Sequence, residues 1–360
     1  MTTVDLLALD AIDESRLAQW RDLVARAAEP NPFFEPELLI PALTHLDPNG
    51  DVRLLTIRDD DRALAAFPVR VMPKWKHLPG TALVTWRHDY CFLGTPLVDR
   101  TALLPAVQAL VEHVGSRSAR LVVLDWVASD GPVLETFDAA QHARLVMLET
   151  FERALLERRT DGDYLAALGK ETRRRLGQRR RALERDVGEL HMVDRAADAV
   201  AYNRFLELEA AGWKGVEGTA LASNPAHAAF FREVVARFAE EGRLELRSLE
   251  TADGTTLAMS VRLVAGDGVF CFKVAHDERY RKYAPGLQLE LDTLPEFHAR
   301  AGTCWADSCT APGNEFFEGL FPSRRRLASV VLTRRSGAHA MMVRTFPTLR
   351  RLRWRLRRAR

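Results

Sequence analysis

Three short apolar segments follow one another in the second half of the chain, and glycine-containing turns join them. The segments cover residues 244–249, 256–264 and 269–275, and the turns contain Asp253-Gly254 and Gly266-Asp267-Gly268. Glycine adopts the positive φ angles that tight hairpin turns require. The pattern therefore predicts three consecutive antiparallel strands, which restricts this part of the chain to folds built on a sheet.

A basic turn and a proline-initiated helix follow the third strand. Pro285-Gly286 opens a segment with leucines at helical spacing, and proline suits a first helical turn because its missing N–H would have had no partner there. Free N–H groups and partial positive charge at a helix start can hold a phosphate or pyrophosphate. We expect the bend after Ala275 to splay the sheet and expose such amides. The residues expected to hold an anionic cofactor are Arg279, Arg281, Lys282, Pro285, Gly286 and Leu287.

Strands alternate with helices along the rest of the chain. From residue 160 onward the predicted order is helix–helix–strand–strand–strand–helix–strand–helix–strand, and the first half follows a reduced version of it without a sequence repeat. This order predicts an α/β fold with a mixed sheet. At 360 residues the chain is long enough for two domains, which we place at residues 1–155 and 156–336, followed by a basic tail at 337–360.

Composition excludes several protein classes. The chain is 47% hydrophobic and 28% charged, as in soluble globular proteins, and it has no apolar run of about 18 residues that could cross a bilayer. Its first residues lack the basic and apolar parts of a signal peptide, so we expect a cytoplasmic protein. The four cysteines show no paired C-x-x-C spacing, and we expect reduced thiols and no metal site.

Positive charge is concentrated in two places. Residues 170–185 contain eight Lys or Arg residues against Glu171 and Glu184, and no acidic residue follows Glu318. The basic helix is either a solvated face or a platform for an anionic partner such as a cofactor phosphate, tRNA or anionic lipid. The tail from His339 to Arg360 could lie on an anionic membrane surface, or could be a packed or disordered basic tail.

Four segments carry a resemblance to a known family. They are the basic helix Lys170–Glu184, the segment Glu209-Ala-Ala-Gly-Trp-Lys-Gly215, the strand end Phe272-Lys-Val-Ala-His-Asp277, and Tyr283-Ala-Pro-Gly286. In this order they resemble the GNAT acyltransferase superfamily, and within it the CelD-like branch of cellulose-biosynthesis proteins, which is related to the tandem-GNAT FemABX ligases. The motifs cover less than half of the chain. The family's phosphate loop, Q/R-x-x-G-x-G/A, keeps only its first arginine, Arg281, and its last glycine, Gly286.

The resemblance implies two similar GNAT domains in tandem and transfer of an acyl group, in the simplest case acetyl, from acyl-CoA to an amine. The acceptor could be a small molecule or carried on a larger one, and no metal is implied. Such transfer needs a deprotonated acceptor, a polarised thioester and a protonated leaving thiolate. The expected catalytic residues are Glu209, Lys273, Tyr283 and Asp307, and the expected substrate-binding residues are Trp213, Lys214, Asp277, Tyr280 and Asn314.

Individual roles follow from the residue types. Tyr283 could protonate the thiolate, and Lys273 within an apolar strand should either face the cleft or pair with a carboxylate, because an unpaired buried charge is costly. Two other functions stay open. One is a FemABX-like transfer of an amino acid from aminoacyl-tRNA. The other is a non-catalytic scaffold in envelope or exopolysaccharide assembly that docks through the basic tail.

Overall fold

A computed structural model describes residues 2–115, 119–160, 168–336 and 341–343 of the chain. Contacts divide the chain into two compact units. Unit 1 contains residues 1–43, 47–152 and those from 326 onward, and unit 2 contains residues 44–46 and 153–325. The domain boundaries that we expect at residues 155 and 336 remain a prediction. Most of the basic tail lies outside the described residues.

The first part of the chain contains seven strands and four helices among the described residues. They are β1 (Thr2–Leu7), α1 (Glu14–Arg26), α2 (Pro36–Leu46), β2 (Val52–Asp59), β3 (Arg62–Trp75), β4 (Leu78–Thr85), β5 (Leu97–Val98), α3 (Leu103–Gly115), β6 (Leu121–Ala128), α4 (Pro132–Ala139) and β7 (Ala143–Glu157).

The second part adds six helices and six strands among the described residues. They are α5 (Lys170–Val187), β8 (Leu190–Asp194), α6 (Ala199–Ala211), α7 (Trp213–Val216), α8 (Pro225–Glu240), β9 (Leu244–Thr251), β10 (Thr256–Ala265), β11 (Gly268–His276), α9 (Pro285–Ala299), β12 (Trp305–Asp307), α10 (Glu315–Glu318) and β13 (Ser323–Arg334). A 3₁₀ turn, Glu278–Tyr283, joins β11 to α9.

Unit 1 is a mixed sheet in the order β1–β2–β3–β4–β6–β13. Neighbouring strands are antiparallel except β4 and β6, which are parallel over Ala82–Val84 and Leu121–Val123. The part of β13 that belongs to this unit begins at Arg326. Helices α1 and α3 pack on the sheet, and phenylalanines and leucines such as Phe33 and Leu23 are buried in this unit.

Unit 2 repeats this arrangement in the order β7–β12–β11–β10–β9–β8, with β7 contributing residues after Glu152. Its one parallel pair among the described strands, β11 with β12, covers Gly268–Phe270 and Trp305–Asp307. The three predicted hairpin strands are confirmed as β9, β10 and β11, and Gly254 and Gly266 adopt the positive φ that their turns require. Apart from the short β5, the elements from β1 to β7 and those from β8 to β13 both run strand, helices, three strands, helix, strand, helix, strand, which confirms the expected mixed α/β fold with two similar domains.

The two faces of the unit 2 sheet carry different helices. Ser260 and Arg262 of β10 bond to Glu290 of α9, whereas Lys273, which lies opposite Val261, pairs with Glu209 of α6. Because adjacent strand residues point to opposite faces, α6 and α9 cover opposite sides of the sheet. Among the described residues, no helix has the length and apolar character needed to cross a membrane.

Candidate active site

The pairing of β11 with its parallel neighbour β12 ends at Phe270, two residues before a bulge in β11. Val261 lies opposite Lys273 and Arg262 lies opposite Cys271, so Phe272 is an extra residue and forms a β-bulge. Bulges bend a strand and end regular pairing. Within the described part of the chain, no strand pairs with the β12 side of residues 271–276. The sheet therefore opens at Phe272, earlier than the bend after Ala275 that the sequence suggested.

Helix α9 begins beside this opening. Its N-cap, Ala284, is left-handed, with φ 53° and ψ 58°, and provides no side-chain hydrogen bond, so the first-turn amides lack a side-chain cap. Gly286 is buried, and a Cβ atom there would lie 3.3 Å from Cγ1 of Val274 on β11. The glycine thus allows the helix start to sit close against the strand, with the amides of Gly286 and Leu287 at the corner.

The basic residues of the turn differ in their contacts. Arg279 is largely exposed and forms a bidentate pair with Asp277, with Nη2 2.6 Å from Oδ2, and this guanidinium lowers the pKa of the Asp277 carboxyl. Lys282 Nζ lies 3.7 Å from Asp186 Oδ2. Arg281 is exposed, and no ion pair to it is found among the described residues. Of these three predicted residues, only Arg279 and Lys282 lie within ion-pair distance of a carboxylate among the described residues.

A buried carboxylate and two lysines meet on the α6 side of β11. Glu209 is 3% exposed; its Oε1 accepts from Lys214 Nζ at 2.8 Å and lies 3.7 Å from Lys273 Nζ. Its Oε2 accepts the backbone N–H of Leu221 at 2.8 Å. Burial alone would raise the pKa of this carboxyl, but the charges of Lys273 and Lys214 and the hydrogen bonds from Lys214 and the Leu221 backbone bring it below its ordinary value. Glu209 is therefore ionised at neutral pH and pairs with both ammonium groups.

Trp213 lies at the rim of this group. Its side chain is 54% exposed, and the Lys214 ammonium is 5.9 Å from its ring centroid. The corner between α6 and α7 also approaches the turn after β11, since a Cβ atom on Gly212 would lie 3.5 Å from Cγ of Glu278. The structure thus brings together Glu209, Lys214 and Lys273, with Trp213 beside them.

Asp307 is not available to a substrate. It is fully buried at the end of β12, where its carboxylate pairs with Arg153 at 2.6 Å and Arg325 at 3.0 Å and accepts the Cys309 N–H at 2.9 Å. Burial would raise its pKa, but the two guanidinium groups lower it. These contacts indicate that Asp307 stabilises the fold of unit 2.

Three more of the predicted site residues make contacts that stabilise the fold: Tyr283, Tyr280 and Asn314. The Tyr283 hydroxyl donates to Asp186, and its ring packs with leucines of α5, β8, β10 and α9, on the side of β11 away from β12. Tyr280 packs partly buried against the same cluster. Asn314 Oδ1 caps α10 by accepting from Phe316 N at 3.1 Å. The cap on α10 also positions Phe316, whose Cε2 lies 3.7 Å from the position of a Cβ atom on Gly286.

His276 lies at the opening, although it is not among the site residues predicted from the sequence. It ends β11, its Nε2 is 3.6 Å from Oε1 of Glu278, and its Nδ1 is 3.9 Å from the position of a Cβ on Gly286. The available signal was its place as the last strand residue before the helix start. Among the described residues, no group of three or more His, Cys, Asp or Glu side chains could hold a metal ion.

Comparison with known proteins identifies the type of domain. Residues 170–311 match the family model of the acetyltransferase (GNAT) domain. Comparison with curated protein sequences gives no match.

Several solved structures share the fold over almost the whole chain. The chain superposes on FemX with a TM-score of 0.58 and 11% identity, covering 92% of this chain and 98% of FemX. It superposes on the C-terminal DUF2156 domain of a putative lysylphosphatidylglycerol synthetase from Agrobacterium fabrum with a TM-score of 0.53 and 14% identity, covering 91% and 95%. For L-PGS from Bacillus licheniformis the values are 0.52 and 14%, covering 89% and 97%. At these identities the likeness establishes the fold alone.

Proposed function

We propose that the chain, whose residues 170–311 match the GNAT acetyltransferase domain, transfers an acyl group from acyl-CoA to an amine. The observation that carries the proposal is the opening of β11 at Phe272 beside the uncapped start of α9. An open strand edge can donate an N–H to a thioester carbonyl, and an uncapped helix start can hold a diphosphate.

The donor would bind along β11 and end at the start of α9. The amides of Gly286 and Leu287, together with the Arg281 guanidinium, would hold the CoA pyrophosphate. Because this turn has fewer glycines than the family's usual loop, fewer amides can approach the phosphates, and the side-chain charge of Arg281 gains importance. Arg279, which is paired with Asp277, and Lys282, which lies near Asp186, would add longer-range attraction.

The acceptor would lie near Lys214, Lys273 and Trp213. Its neutral amine attacks the thioester carbonyl carbon, the new C–N bond forms, the C–S bond breaks, and the amine's proton ends on the thiol of CoA. Glu209 keeps both lysines in position, and Lys214 and Lys273 would bind an acidic group of the acceptor. The contacts of Asp307, Tyr283, Tyr280 and Asn314 support folding roles, so we assign these four no step.

Calorimetric titration with acetyl-CoA tests the donor site. We expect Arg281→Ala to weaken binding about tenfold or more, because a charge-assisted contact to phosphate is worth about 1.5–3 kcal/mol. Arg173→Ala is the matched control, since Arg173 is also an exposed arginine but lies on α5. Absence of binding by the unchanged protein would refute acyl-CoA as the donor, and equal weakening by both variants would remove Arg281 from the site.

Aminoacyl-tRNA is the second candidate donor. The observation that favours it is the contact between α5 and the basic turn. Asp186 of α5 accepts a hydrogen bond from Tyr283 and lies near Lys282. The exposed arginines of α5 therefore extend the basic surface of the turn. This reading predicts a gel shift of tRNA that weakens steeply between 50 and 200 mM salt, as counterion release requires. The scaffold alternative rests on the tail, which lies largely outside the described residues.

A further inference from the structure

Unit 1 contains its own diverging pair of parallel strands. Strands β4 and β6 pair only over Ala82–Val84 and Leu121–Val123, after which β6 continues to Ala128 while the chain of β4 remains hydrogen-bonded to β3 through Trp86 N and Pro68 O. In element order this pair corresponds to β11 and β12 of unit 2. The gap that opens between β4 and β6 after Val84 and Val123, called the wedge below, is thus the position at which unit 1 would hold an acyl donor.

Residues 91–95 occupy that wedge. Gly94 N donates to Trp126 O at 2.9 Å, and Ala128 N donates to Oγ1 of Thr95, also at 2.9 Å. The segment therefore bonds to the part of β6 that β4 no longer reaches. A side chain on Gly94 would overlap the carbonyl oxygen of Asp125, so only glycine allows this approach.

Buried hydrogen bonds from Asn31 also hold the segment in place. Asn31 is fully buried, and its Nδ2 donates to Leu93 O at 3.1 Å and to Thr95 O at 2.7 Å. Leu93 and Thr95 are themselves fully buried. Carbonyl groups of a chain segment that had merely collapsed on the surface would face water. Here two of them are satisfied by one buried amide, so the segment is an integral part of the unit.

Backbone strain in β6 marks the same place. Trp126 has φ of 60°, which is unfavourable for a bulky residue. The Arg87 guanidinium lies 3.6 Å from the Trp126 ring centroid, and Arg87 Nη1 donates to Cys91 O at 3.1 Å. The strained residue thus accepts directly from Gly94 through its carbonyl and is linked through Arg87 to Cys91 at the start of the segment.

We propose that residues 91–95 are the permanent occupant of the donor cleft of unit 1, so that one chain takes a single acyl donor, in unit 2 alone. The second half of this statement rests on the function proposed above. In unit 2 the connection from β11 to α9 is only residues 277–284, whereas residues 86–102 connect β4 to α3. In the unit 2 connection Asp277 N donates to Leu257 O of β10, and Tyr280 N and Ala284 N donate to Asp277 O and Arg281 O within the turn.

Calorimetry and hydrogen exchange together test the proposal. Titration with acetyl-CoA should give a stoichiometry of about one, and Arg281→Ala should reduce this single binding event without leaving a second one. The Gly94 and Ala128 amides should be protected from exchange without ligand and unchanged with it. A stoichiometry of two, or a binding event that survives Arg281→Ala with loss of Gly94 protection, would overturn the proposal.

Failure of the proposed function has a different signature. If the protein binds no acetyl-CoA, the donor assignment falls, but the occupation of the wedge is still judged by exchange of Gly94 in the free protein. Exchange of that amide at the rate of an open loop would refute it, and strong protection would support it.

Asn31→Ala tests the fastening directly. It should raise the exchange rate of the Gly94 amide at least tenfold, because the two carbonyl groups lose their donor. Asn224→Ala is the matched control, since Asn224 caps α8 in unit 2 through Ala226 N and should leave Gly94 unchanged. If Asn31→Ala does not fold, Thr95→Val, which removes only the hydroxyl acceptor, should raise exchange at Ala128. Unchanged exchange in that variant would count against the proposal.

Discussion

Glu209 shows how a single buried charge can fix the geometry of the candidate site. Its carboxylate is almost fully removed from water, yet both oxygens have donors, from Lys214 and from the Leu221 backbone. Removing one partner of such a group leaves uncompensated buried charge, which typically costs about 3–5 kcal/mol. Its Oε1 lies within ion-pair distance of Lys214 on α7 and of Lys273 on β11.

Replacing Glu209 with Gln should destabilise unit 2 by about 3 kcal/mol at neutral pH, because two ammonium groups lose their counter-charge. The pKa of this carboxyl lies below its ordinary 4.5, so its stabilisation is complete above that value and disappears as the pH falls through the lower, folded-state pKa. Urea unfolding of both proteins between pH 7 and pH 3 should therefore show a difference that shrinks with acidification. Glu207→Gln, an exposed change on the same helix, should have little effect at either pH.

Residue identity predicted some of these contacts and not others. Lys273, a charge within an apolar strand, was expected either to face the cleft or to pair, and it pairs with Glu209. Asp307 looked equally suitable for chemistry, but Arg153, which neutralises it, is 154 positions away in the sequence. Spacing and residue type carry no information about a partner at that separation, so burial of the pair could not be foreseen.

Elements were predictable where local signals agreed with tertiary packing. The three hairpin strands and the proline-initiated α9 follow from turn residues and apolar periodicity. Helix α2 has a weaker signal, because it begins at Pro36, a residue type that breaks helices elsewhere but is tolerated in the first helical turn. The bulge at Phe272 has no sequence signal of its own, since it depends on the register between β10 and β11.

Gly286→Ala tests the helix start as an element. The new methyl group would lie 3.3 Å from Val274 Cγ1, so a shift of a few tenths of an ångström should accommodate it and leave overall stability within about 1 kcal/mol of the original. The same methyl group crowds the corner where the pyrophosphate is proposed to bind. We therefore expect acetyl-CoA affinity to fall several-fold in calorimetry while the urea midpoint changes little.

Gly177→Ala in the middle of α5 is the control for that change. A Cβ atom there meets only the flexible end of Arg181 at 3.4 Å, so alanine should stabilise the helix by up to about 1 kcal/mol. Donor affinity should be unchanged. If both glycine variants bound acetyl-CoA equally well, the close approach of α9 to β11 would have no role in donor binding.

At the scale of the whole molecule, each unit is not a continuous stretch of sequence. Unit 1 takes the part of β13 from Arg326 onward, where Leu327, Val330, Val331 and Leu332 are fully buried and paired with β6. Alternation of strands and helices predicted two similar domains. It could not show that β13 is divided between the two units at Arg326. Strand order depends on pairing between distant segments, which periodicity does not report.

A chain that ends at Arg325 should therefore lose the fold of unit 1 although residues 1–152 are all present. Four buried leucine and valine side chains at about 2 kcal/mol each amount to about 8 kcal/mol, which is comparable to the total stability of a domain. Limited proteolysis with mass spectrometry should show cleavage throughout residues 2–115 and 119–152. A chain that ends at residue 343 keeps β13 and the buried Val343 and should resist cleavage there. Equal resistance of the shorter chain would mean that β6 does not depend on β13, and that residues 1–152 fold without it.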